Sequence, residues 1–142
     1  MPDGEIQALL AKANEDLRAS ALEVHELFLG LGCHSYVKTI YVGYEISGEM
    51  VAAVYPHADH LEIALALPEE TAGEHLIDAS HLTWRSLPVA FVYRTGGTTI
   101  DDLIGFAQTA CDRVRSETHD VNRDNDFFIR SRRERRQRDE QT

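Results

Sequence analysis

Three short segments carry side chains able to do chemistry. His57-Ala58-Asp59-His60-Leu61-Glu62 has the imidazoles and carboxylates that a zinc site needs. Its spacing matches no zinc signature, and Asp and His are common in the turn of a hairpin. No metal and no other cofactor is therefore expected. A small metal-dependent enzyme centred on His57, His60 and Glu62 stands as the competing expectation. Cys33-His34, with Tyr36 beside it, has the types of a nucleophile and a base. Adjacent residues rarely face each other, and no orienting acid is evident, so a helix-ending turn accounts better for them. His25 and His75 read as helix or loop residues, and His81 as a loop residue near Trp84.

Thr83-Trp84-Arg85 contains the chain's one tryptophan. Such a residue anchors a loop on the core, with Arg85 stacked on it, or the two line a pocket for an anionic or aromatic ligand. The C-terminal run includes Arg132, Arg133, Arg135 and Arg136. Runs of this kind are usually solvated ends, though they can grip nucleic acid. The chain has no Gly-rich phosphate loop after a strand, no serine nucleophile elbow and no paired-carboxylate signature. No catalytic residue is assigned.

Charge narrows the partners. The net charge is −10 over 142 residues. Residues 1–126 hold 8 Lys or Arg against 21 Asp or Glu, a net of −13, and residues 127–142 a net of +3. An acidic body repels phosphate backbones, so nucleic acid is an expected partner only through the tail. The N-terminal Met-Pro-Asp-Gly-Glu lacks the basic start and apolar centre of a signal peptide, and no apolar run approaches the roughly 20 residues of a membrane span. Cys33 and Cys111 are the only cysteines, which suits a reducing cytoplasm better than a disulfide scaffold. Cys111 falls on an apolar helical stripe and should be buried, while Cys33 in a Gly-Cys-His turn is open to exposure.

The elements that must position these groups follow from periodicity. Ile6, Leu9, Leu10, Ala13, Leu17, Ala21, Val24, Leu27, Phe28 and Leu31 recur at spacings of three and four. They predict one long N-terminal helix, capped by Asp3 and stopped by Gly30 and Gly32. Segments 39–46, 49–55 and 60–67 are rich in β-branched and aromatic residues and are separated by short turns, which permit only antiparallel neighbours. A loop with a short helical turn fills 68–88, and a fourth strand spans 89–94. A second helix begins at Thr98 or Thr99, with Ile100, Leu103, Ile104, Ala107, Ala110, Cys111 and Val114 facing inward. The expectation is an α+β domain over 1–119: a three-strand meander plus one strand, packed on the two helices. A polar Arg-rich tail occupies 120–142.

Alternation assigns faces. Leu61, Ile63, Leu65 and Leu67 should lie under the helices. The opposite face carries Tyr41, Gly43, Glu45, His60, Glu62, Ala64 and Ala66, and is expected to meet water, as antiparallel sheets commonly do, or to receive a partner.

Residues 24–114 resemble a bacterial family known as domain of unknown function 5655. The likeness rests on Leu27-Phe28-Leu29-Gly30-Leu31-Gly32, Val37-Lys38-Thr39-Ile40-Tyr41, His60-Leu61-Glu62-Ile63-Ala64-Leu65-Ala66-Leu67 and Thr99-Ile100-Asp101-Asp102-Leu103. The resemblance implies a compact α+β domain, in some members fused to endonuclease-like modules, and brings no catalytic set. Together these readings lead to a cytoplasmic, non-catalytic binding or accessory module, a monomer or homodimer. Its ligand or protein partner would be held by Tyr41, Glu45, Glu62, Trp84 and Arg85.

Overall fold

The computed structural model describes residues 4–82 and 84–124. Helix α1 spans Gly4–Leu10 and α2 spans Glu15–Gly30, so the single long helix expected from the periodicity is in fact two. The break is a capping event. Asn14 is extended, and its side chain accepts from the Leu17 amide at 2.8 Å. Glu15 and Asp16 complement the helix dipole in the first turn. Arg18 donates back to the carbonyls of Ala13 (2.9 Å) and Ala11 (3.4 Å) in the interhelix turn. The Asn14 amide donates to Ala58 O at 3.0 Å, tying the break to the far hairpin. The apolar stripe from Ile6 to Phe28 is buried straight through it, which is why periodicity did not reveal it.

Six strands follow: β1 His34–Val37, β2 Val42–Ile46, β3 Glu49–Pro56, β4 Leu61–Leu65, β5 Leu76–Asp78 and β6 Val89–Tyr93. They form one antiparallel sheet in the order β1-β2-β3-β4-β6-β5. The meander and the strand at 89–94 are present. The four-stranded sheet is corrected to six by two short edge strands. Segment 39–46 is not one strand, because Lys38 N donates to Tyr41 O at 2.9 Å and turns the chain between β1 and β2. Strand β5 is three residues long and follows His75 at φ 74°, so it carries too few residues for an alternation to show. Ser47 and Gly48, both at positive φ, close the β2–β3 hairpin.

Helix α3, Ile100–Asp124, starts where Thr99 N donates to Asp102 Oδ2 at 2.9 Å. It crosses β3 and also touches β2, β4 and α2. Leu103, Ala107, Ala110, Cys111 and Val114 are buried on its inner side. Beneath the helices lie Val42, Tyr44, Val54, Leu61, Ile63, Leu65 and Phe91, one face of the sheet. Phe28 stacks on Tyr44 at 4.9 Å, and the buried His25 meets the Tyr44 hydroxyl through Nδ1 at 2.8 Å. No helix among the described residues is long and apolar enough to cross a membrane.

Leu65→Ala should lose about 2–5 kcal/mol, since it deletes fully buried methylenes and leaves a cavity. Asn14→Ala should lose about 0.5–2 kcal/mol through the cap alone. Urea unfolding followed by circular dichroism measures both. A loss near zero for Asn14→Ala would mean that α1 and α2 behave as one continuous helix.

Candidate functional site

The middle of the second sheet face is covered rather than open to water. Gly43, Ala53, Ala64 and Ala90 sit side by side in register across β2, β3, β4 and β6. All four are buried. A row of such small side chains makes a shallow trough, and aromatic groups cover it. The Tyr36 ring lies directly on Gly43, where an added Cβ would stand 2.3 Å from the ring carbon Cζ. The Tyr41 ring centroid is 6.0 Å from Tyr36, 5.2 Å from Tyr55 and 5.6 Å from Trp84, the last edge-on at 89°. Trp84 Nε1 donates to the Tyr55 hydroxyl at 2.7 Å, and the Tyr36 hydroxyl donates to Met50 Sδ at 3.1 Å. Burial pushes the Tyr36 and Tyr55 hydroxyls above the ordinary phenol range, so both stay protonated at neutral pH. The segment 79–88 carries Trp84 to this position and is closed at its base by Ala79 N donating to Pro88 O at 3.0 Å.

Glu62 flanks the trough, two residues along β4 from Ala64 and paired in register with Tyr55 on β3. It is only 8% exposed, so the expectation of a solvated carboxylate is overturned. His81 Nε2 donates to Glu62 Oε2, and His57 Nε2 stands 3.5 Å from Oε1. The two imidazole side chains are 49% and 46% exposed, so one buried carboxylate anchors two half-open rings. His60 stacks on His57 at 4.5 Å and 10°, and contacts Asp59 Oδ1 through Nδ1 at 2.7 Å. His57, His60 and Glu62 are thus neighbours. Among the described residues, however, no group of three or more His, Cys, Asp or Glu side chains is arranged to hold a metal ion.

Beyond Trp84 a cleft of about 510 Å³ opens. Trp84, Met50, Arg85 and Arg113 line it, together with the carboxylates of Glu49, Glu69 and Asp78. Arg113 reaches it from α3 and donates to Ala66 O at 2.8 Å. Arg85 is exposed at the cleft.

The five residues expected to form a site are therefore divided. Tyr41 and Trp84 touch in the aromatic cover. Arg85 shares the cleft with Trp84, and Glu62 anchors the histidines. Glu45 is paired with Met50 and His34 beside the register shift after Tyr44, and its charge acts on the Tyr36 hydroxyl. Arg132, Arg133, Arg135 and Arg136 lie outside the described residues. Sequence reasoning missed Tyr36, Tyr55, Met50, His81 and Arg113 as members of this face. The alternation of Tyr55 with Ala53, opposite the buried Val54, was the available signal for one of them. Comparisons with family models, curated proteins and solved structures give no match.

Glu62→Ala removes a buried acceptor from two imidazoles and should cost about 1–3 kcal/mol at neutral pH. Chemical unfolding of the variant beside the parent checks this. A change under about 0.5 kcal/mol, the size of a plain surface substitution, would show that the carboxylate contributes nothing on this face.

Proposed function

We propose that this chain is a non-catalytic binding module whose site is the cleft beside Trp84. Its ligand is a small molecule or protein side chain that joins a flat apolar part to one anionic group. The observation that carries this reading is a single cleft lined by an indole, a thioether and two guanidinium groups. A volume of about 510 Å³ falls in the range of small-molecule sites. The indole and Met50 offer the apolar surface, and an Arg fork suits a carboxylate or phosphate. Glu49, Glu69 and Asp78 on the same lining repel a polyanion, so a single charge fits better than a nucleic-acid backbone. The resemblance to the domain of unknown function 5655 family, which brings no catalytic set, agrees with a binding role in a bacterial cytoplasm.

A second reading, a small metal-dependent enzyme centred on His57, His60 and Glu62, draws on the paired imidazoles held by Glu62. Titration with zinc separates the two. Stoichiometric uptake lost in His57→Ala would favour the enzyme over the binding module.

Trp84 is the only tryptophan, so its fluorescence reports the cleft directly. Titration with 1-anilinonaphthalene-8-sulfonate, an aryl anion, should quench that emission saturably. Arg85→Glu should weaken binding by about tenfold or more, equivalent to about 1.4 kcal/mol, without moving the melting temperature. Non-saturable quenching, or equal binding by the variant, would sink the proposal.

A further inference from the structure

Cys33 and Cys111 are 78 positions apart, yet the fold brings their sulfur atoms to 3.7 Å. Cys33 lies just past α2, between Gly32 at φ 96° and the start of β1, and Cys111 lies on the inner side of α3. Both thiols are free and buried. Cys33 is 6% exposed and is flanked by the exposed residues Gly32 and His34, while Cys111 is fully buried behind it. Arg115 spans the same turn. Its Nη2 donates to Leu31 O, and a Cβ on Gly32 would come within 3.0 Å of that nitrogen.

We infer that Cys33 and Cys111 form a reversible oxidation site, in which a peroxide converts the two thiols into an intrachain disulfide. The sulfur atoms need to close only to the roughly 2.05 Å of a disulfide bond. The hydrogen bond shared by the two sulfur atoms, helped by Arg115 and opposed by burial, holds Cys111 below the usual thiol range. The same hydrogen bond, with burial, pushes Cys33 up. Cys33 is the more exposed of the two and Cys111 the more acidic, so either sulfur can take the first step. That sulfur attacks one peroxide oxygen, the O–O bond breaks, and the leaving hydroxide takes a proton to become water. Its cysteine is left as a sulfenic acid. The second sulfur then attacks the oxidised one, the S–O bond breaks, and a second water leaves. The two thiols together lose two protons and two electrons, and one hydrogen peroxide becomes two waters. A thiol reductant reverses the change by exchange.

This reaches beyond the binding role and does not depend on it. The bond would join the end of α2 to the turn of α3 that carries Arg113 and Val114 into the cleft. Closing so long a loop constrains the unfolded chain and should raise the melting temperature by about 10 °C.

The full chain is treated with a small excess of hydrogen peroxide, denatured, alkylated with N-ethylmaleimide and weighed intact. The expected product is a monomer about 2 Da lighter with no maleimide adduct, whose Cys33 and Cys111 peptides are linked. Dithiothreitol should restore two adducts and the lower melting temperature. Cys33→Ser or Cys111→Ser should instead leave a sulfenic acid on the remaining cysteine that dimedone traps. Two adducts after peroxide treatment, an intermolecular dimer, or a stable sulfenic or sulfinic acid in the parent chain would each overturn the inference.

Discussion

Strand β4 is buried at every position from Leu61 to Leu65, and β3 is nearly so. A strand placed at the centre of a sheet must hide both its faces, and one layer of helices can cover only one. Here α2 and α3 take the face of Val54, Ile63 and Phe91. The other face is covered by Tyr36, Tyr41 and Tyr55 and by Trp84 of the loop between β5 and β6. Aromatic rings are thinner than a helix. The Tyr36 ring lies directly on the sheet only because Gly43 has no side chain, so the small-residue row and the aromatic cover are two halves of one solution.

Both candidate features of the protein arise where that cover ends. At one end His81 from the loop and His57 from the β3–β4 turn both reach Glu62, a carboxylate that the sheet would otherwise bury without a partner. Burying a carboxylate is costly unless it is hydrogen-bonded, so the two imidazoles satisfy a structural need before any chemical one. At the other end the loop leaves Trp84 with Met50 and Arg113 around an open cleft. The same indole hydrogen-bonds to Tyr55 on the sheet, and that contact holds the cleft wall in place.

The helical side has its own polar fastenings. The buried His25 meets the Tyr44 hydroxyl, and the two thiols face each other between α3 and the end of α2. Burial pushes the Tyr44 hydroxyl well above its ordinary range, so this hydroxyl remains a neutral partner inside the core. Arg115 crosses from α3 to the carbonyl of Leu31, which would otherwise be one of the unpaired acceptors at a helix end.

Much of the fold was legible in residue order. The apolar stripes of the helices, the meander from β2 to β4 and the capped start of α3 are local patterns, decided by neighbours three, four or two positions apart. The break at Asn14 was legible in principle, since Asn-Glu-Asp-Leu is a capping signal, but the uninterrupted stripe from Ile6 to Phe28 masked it. Strands β1 and β5 were not legible, because a three- or four-residue edge strand takes its pairing from the strand already beside it. The site divides on the same line. Trp84 and Arg85 announced themselves by residue type in an irregular loop. The partnership of His81 with Glu62, the seating of Tyr36 on Gly43 and the meeting of Cys33 with Cys111 join residues 19, 7 and 78 positions apart. Contacts at such separations leave no periodic trace in the chain. Only the packed sheet, with a loop folded across its second face, brings them within reach.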